Sequence, residues 1–150
     1  MVLIRPVSKK DTKNILKLFL EVNPNDKIYF EKVKEGIAEG FDGNTYTKPT
    51  YLLAELDGKI VGLVGFAPSR INYRIYEGFS LLIDPRHRNK GIGSKLIHAS
   101  IEEIKKHRRK PQDDYTILTT TLVPNFFKKF GFKTIGKIKV NGSNLMALRV

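Results

Sequence analysis

The chain has 150 residues, of which 41% are hydrophobic and 28% charged, with no cysteine and a formal net charge of +12. That balance predicts one soluble globular domain spanning residues 1–150, and it excludes collagen-like, membrane-spanning and largely disordered chains. Without cysteine there are no disulfides, thiolate zinc sites, iron–sulfur clusters or cysteine nucleophiles, and no metal is expected. Arg5 and Pro6 come too early for a signal peptide, so the expected location is cytoplasmic.

The charge is unevenly spread. Residues 1–75 hold 12 basic and 9 acidic side chains, whereas residues 76–150 hold 15 and 6, with no acidic residue after Asp114. A field of this sign attracts polyanions: nucleic acid, an anionic membrane or a phosphorylated ligand. A solvated lysine-rich surface would look the same in composition.

Val2 to Arg5 reads as a short strand ended by Pro6, and Ser8 as the N-cap of a helix with Ile15, Leu16, Phe19 and Leu20 at helical spacing. A second helix is predicted from about Asp26 to Glu39, fading at Gly40, followed by a loop from Phe41 to Pro49. The runs 51–56 and 59–66, separated by Asp57-Gly58, predict a β-hairpin. A third strand runs from about Arg74 to Ile83 and closes at Asp84-Pro85. After a basic, glycine-containing loop comes a helix with Ile92, Leu96, Ile97, Ile101 and Ile104 on one side. Tyr115 to Thr120 is a short β-branched strand, and Pro124 suits the first turn of a short helix stopped by Gly131. Two strands, 132–140 and 145–150, close the chain around Asn141-Gly142. This order predicts an α/β (α+β) fold with a sheet of mixed direction.

The junction between the strand ending at Ile83 and the helix from Ile92 carries the most specific signal. A helix opening there leaves backbone N–H groups unpaired at the positive end of its dipole. Gly91 and Gly93 let a ligand approach the backbone, and Arg86, Arg88, Lys90 and Lys95 add positive charge. Together these describe a cradle for a pyrophosphate. It is neither a Walker loop nor the dinucleotide fingerprint, since Gly-x-x-x-x-Gly-Lys is absent and Leu96 stands where the third glycine belongs.

The pattern Arg88-x-x-Gly91-x-Gly93 resembles the acyl-CoA loop of the Gcn5-related N-acetyltransferase family, Gln/Arg-x-x-Gly-x-Gly/Ala. Asn125-Phe126-Phe127-Lys128-Lys129-Phe130-Gly131-Phe132 is similar to that family's second motif, Phe-Tyr-x-Lys-x-Gly-Phe. The resemblance implies a mostly antiparallel central sheet of six to seven strands flanked by about four helices, with an acyl-CoA cleft between splayed strands. It implies acetyl-CoA as co-substrate and an amine as acceptor, with no membrane partner; a basic nucleic-acid-binding domain is the less favoured alternative, because the aromatic residues sit mostly at core spacings. It assigns the pyrophosphate to the backbone of Arg88, Asn89, Lys90, Gly91, Ile92, Gly93 and Ser94, and the thioester carbonyl to the backbone of Leu82 or Ile83. Asn125, Phe126 and Lys128 would lie along the cofactor's far side.

By the same resemblance, Glu77 stands where many members carry a glutamate general base. His87 occupies a usually structural position. The family's frequent general acid, a tyrosine, is replaced by Phe127, and the asparagine seven residues earlier by Thr120. Tyr73, Tyr76 and Tyr115 are substitute proton donors that the sequence does not rank. The run 117–121, the Phe126-Phe127 pair and Glu77-Gly78-Phe79-Ser80-Leu81 are similar to the N-acetylglutamate synthase-like branch, which acetylates free amino acids. A free amino acid or other small amine is therefore the expected acceptor, with protein or peptide amines as competitors. The missing tyrosine also admits a catalytically weak acyl-CoA-binding module. The last strand, often paired between copies in this family, would give a homodimer.

Overall fold

In the computed structural model, which describes residues 1–150, a seven-stranded sheet has the order β1-β2-β3-β4-β5-β7-β6. The strands are β1 (Val2–Pro6), β2 (Thr50–Leu56), β3 (Lys59–Pro68), β4 (Ile75–Ile83), β5 (Thr116–Thr121), β6 (Lys133–Val140) and β7 (Ser143–Arg149). The helices are α1 (Thr12–Val22), α2 (Lys27–Asp42), α3 (Ile92–Lys106) and α4 (Pro124–Lys128). All neighbouring strands are antiparallel except β4 and β5. No helix is long and apolar enough to cross a membrane.

β3 is buried without a break from Val61 to Phe66 because both faces of the sheet are covered there. On one face α3 lays down Ile92, Leu96, Ile97, Ile101 and Ile104, all buried, over Ala54, Val64, Phe66 and Ile117. On the other, α1 and α2 bury Ile15, Leu18, Phe19, Val33 and Ile37 against Leu53, Leu63 and Leu82. The amphipathic stripe of α1 is therefore Ile15-Leu18-Phe19, and Leu20, expected inside, points to solvent. α2 runs on through Phe41 to Asp42, past the break expected at Gly40, because Phe41 packs onto the α1/α2 cluster.

One ionic network, centred on the buried Asp11, ties β1 to the start of α1. Arg5 donates to Asp11 at 2.8 and 3.0 Å and to Glu55 at 2.8 and 3.1 Å, while the Ser8 N–H and hydroxyl both donate to Asp11 at 2.8 Å. The Arg5 guanidinium, more than any other neighbour, holds the Asp11 carboxyl well below the usual carboxylate range. Because its folded-state pKa is depressed, Asp11 contributes stability above its unfolded pKa of about 3.9, and that stability is lost as pH falls through the folded value. Asp11→Ala leaves Arg5 to Glu55 and the Pro6 carbonyl and is expected to cost about 1–3 kcal/mol. Urea unfolding at pH 7 measures the loss, which should shrink when the comparison is repeated near pH 2.

Candidate active site

The parallel pairing of β4 and β5 is short. It holds Ile75 to Thr116, Tyr76 to Ile117 and Glu77 to Leu118, and then stops, although both strands continue. From Gly78 onward β4 keeps only β3, and β5 keeps only β7. The two strands splay, and a cleft opens between them.

The ladder decides which backbone groups face that cleft. Asp84 N–H donates to Val61 O at 2.9 Å, and in an antiparallel pair the groups turned toward the partner alternate. With Leu63 opposite Leu82 and Gly62 opposite Ile83, the Leu82 N–H and C=O turn toward β3, while those of Leu81 and Ile83 line the open edge. The Leu82 side chain is buried under α1 and α2.

At the far end of β4 the chain turns on Asp84, which is buried and accepts from Arg86 N–H and Nε at 2.9 Å and from Arg86 Nη2 at 2.7 Å. Arg86, counted from the sequence among the loop's free cations, is engaged there and with Glu21 at 3.4 Å. Its hydrogen bond is the main reason the Asp84 carboxyl sits well below its ordinary range. His87 is half-buried, with Nδ1 3.4 Å from Asp84, and lines a different, polar cavity beside α1.

Beyond His87, seven consecutive backbone N–H groups, Arg88 to Ser94, find no acceptor in the protein. The first that does is Lys95 N–H, which donates to Gly91 O at 3.1 Å. Two left-handed residues shape this stretch, Asn89 at φ 60° and Gly91 at φ 77°. A Cβ at Gly91 would meet nothing within 4 Å, so the space beside it is open. Arg88, Lys90 and Lys95 are exposed and unpaired. The N-terminus of α3 thus presents fixed donors and three free cations to an anion.

α4 closes the other wall. Phe126 and Leu81 come within 3.7 Å of the place a Gly93 Cβ would occupy, so α3, α4 and β4 meet at the cleft. Asn125 and Lys128 are exposed on α4 beside it. Phe127 is buried, stacked on Phe79 at 6.3 Å and edge-on to Phe132 at 5.5 Å.

Where the strands part lies a cavity of about 350 Å³, lined among others by Tyr51, Phe66, Glu77, Phe79, Ser80 and Thr120. Glu77 and Thr120 reach it from the two diverging strands. None of Tyr73, Tyr76 and Tyr115 lines it: Tyr76 adjoins Glu77 on β4 but is buried, and the three cluster beside His107, whose Nδ1 shares a 2.8 Å hydrogen bond with Tyr76. The tyrosine at this cavity is Tyr51, which sequence reasoning missed. Its ring lies over Gly65 and its hydroxyl against Gly36, in the space that a side chain at either glycine would fill. Burial pushes the Tyr51 phenol up to about 12, so it remains a donor at neutral pH. Gly65→Ala would drive a methyl into that ring. It is expected to cost about 1–3 kcal/mol and to displace Tyr51, both visible by thermal unfolding and Tyr51 fluorescence.

Residues 47–134, spanning the hairpin, the splay and the loop, match the profile of the acetyltransferase (GNAT) domain. The chain belongs to the GNAT acetyltransferase family. It is 28% identical over 142 residues to an uncharacterised N-acetyltransferase of Methanocaldococcus jannaschii, covering 87% of this chain but only 60% of that protein's length. The fold matches the PaiA N-acetyltransferase of Thermoplasma acidophilum in complex with coenzyme A (TM-score 0.74, 17% identity, 100% and 99% of the two chains). It also matches a GNAT acetyltransferase of Brucella melitensis in complex with acetyl-CoA (TM-score 0.72, 20% identity, 99% and 87%). At these identities the likeness shows the fold, a mixed, mostly antiparallel seven-stranded sheet with four helices, as the family resemblance implies.

Proposed function

We propose that residues 1–150 form one N-acetyltransferase domain that moves an acetyl group from acetyl-CoA to a primary amine by direct attack on the thioester. The observation that carries this reading is the run of seven unpaired N–H groups at Arg88–Ser94, in a chain of this family, beside strands that part. Those donors, with Arg88, Lys90 and Lys95, would hold the pyrophosphate. The open backbone groups of Leu81 and Ile83 would take the pantetheine arm and the thioester carbonyl, with Phe126, Asn125 and Lys128 along the outer wall. The bound thioester supplies the electrophilic carbon.

The chain's own residues supply the proton handling. An alkylammonium has a pKa of about 10.4 and must lose a proton before it can attack. Glu77, on the cavity wall at the splay, accepts that proton. As the new C–N bond forms the C–S bond breaks and the electron pair leaves on sulfur, while the second proton that the nitrogen sheds in becoming an amide passes to the departing thiolate or to solvent. A thiol with a pKa near 8.5 departs without obligatory protonation, which suits a site where Phe127 offers no donor.

A second reading, a catalytically weak acyl-CoA-binding module, is favoured by one observation: Phe127 lies buried among phenyl rings where the family's usual tyrosine would be. Thiol release from acetyl-CoA in the presence of primary amines, with the acetylated product identified by mass spectrometry, separates the two. Amine-dependent release supports the enzyme. Acetyl-CoA binding without product supports the module.

A further inference from the structure

The wall of the cavity at the splay carries a single charge, the Glu77 carboxylate. The rest of its lining is the rings of Tyr51, Phe66 and Phe79, the hydroxyls of Ser80 and Thr120, and small apolar groups. We infer that the acceptor is a primary amine whose neighbouring carbon bears no free carboxylate, so that the α-amine of a free amino acid is rejected. This rests on the acetyltransferase reading and narrows it.

An ammonium group entering the cavity meets one anion, its charge partner, and a wall that includes the rings of Tyr51, Phe66 and Phe79. Its aliphatic or aromatic arm finds apolar wall. In a free α-amino acid the carboxylate is fixed one carbon from the nitrogen. Seating the nitrogen beside Glu77 therefore brings a second carboxylate against the first, in a cavity whose wall offers no cation. Two like charges at that range repel, and no cation on the wall offsets them.

A cation, Lys48, lines an adjoining cavity of about 450 Å³ that shares Pro49 and Tyr51 with the first. An anionic group on the acceptor could reach it only from an arm that extends past the Tyr51 ring. A carboxylate on the amine-bearing carbon is too close to the nitrogen to do so. The structure thus runs against the free amino acid expected from the branch resemblance.

The test compares norleucine with norleucinamide, which has the same shape without the carboxylate. Pentylamine, a short peptide with a free N-terminus and an N-acetylated peptide with one internal lysine run alongside to identify the source of the amine. Initial rates of thiol release are read at saturating acetyl-CoA. The kcat/KM for norleucine should fall about tenfold or more below that for norleucinamide. Thr120→Lys, which adds a cation at an exposed position on the wall, should raise norleucine relative to norleucinamide by about tenfold or more. Equal use of the two by the native protein, or an unchanged ratio in Thr120→Lys, overturns this inference and leaves the acetyltransferase reading intact. Thiol release with none of the five, while acetyl-CoA still binds, overturns the catalytic reading and this inference with it.

Discussion

Gly91→Glu is expected to weaken acetyl-CoA binding by at least about 100-fold while the protein stays folded. The substitution acts twice. Gly91 holds φ at 77°, so any side chain there strains the backbone by about 1 kcal/mol and disturbs the neighbouring N–H groups. The added carboxylate then projects into the open space in front of Arg88–Ser94, where the account puts the pyrophosphate. Because a Cβ at this position touches nothing, the loss should appear in binding far more than in stability. Gly91→Ala provides the comparison: it keeps the backbone strain without the charge and should cost much less affinity. Calorimetric titration of both variants, beside their melting temperatures, checks the separation.

Glu77→Gln should lower kcat/KM by about 10²–10⁴-fold, the usual worth of a positioned general base. Glu77 is exposed and makes no hydrogen bond or ion pair, so its amide should fold and bind acetyl-CoA like the native protein. The loss should therefore lie mostly in kcat. Raising the pH should restore part of it, since more of the amine then arrives already deprotonated. A Glu77→Gln protein with unchanged kcat would assign the proton to solvent or to another group on the cavity wall.

Most of the fold was legible because the hydrophobic period changes cleanly along the chain. The stripe Ile92-Leu96-Ile97-Ile101-Ile104 is buried as expected, and the Asp57-Gly58 turn joins β2 and β3. Where the reading failed, tertiary contacts decided. Leu20 has the spacing of a core residue, but Leu18 and Phe19 take the inner face of α1. Phe41 looks like the start of a loop, yet its contact with the α1/α2 cluster carries α2 on to Asp42.

The candidate site shows the same division. The loop from Arg88 to Ser94 has a local signature, since glycines, cations and a helix start lie next to one another in the chain. Nothing local reveals that Arg86 is bound to Asp84, or that the ladder turns Leu82 away from the cleft and leaves Ile83 facing it. The substitute tyrosines were sought near β4 and β5 in sequence, but none lines the cavity, and Tyr76, next to Glu77 on β4, turns the other way and is buried. Tyr51 reaches the cavity from β2, and the signal that could have found it is the pair Gly36 and Gly65, whose missing side chains leave room for its ring.

Isothermal titration of the native protein with acetyl-CoA, beside CoA and dephospho-CoA, tests the central claim most directly. The account predicts one site per chain with roughly micromolar affinity, the range of about −8 kcal/mol, weakening as salt is raised. No binding heat at low ionic strength would contradict it, and with it the roles given to the Arg88–Ser94 loop, the splayed strands and Glu77.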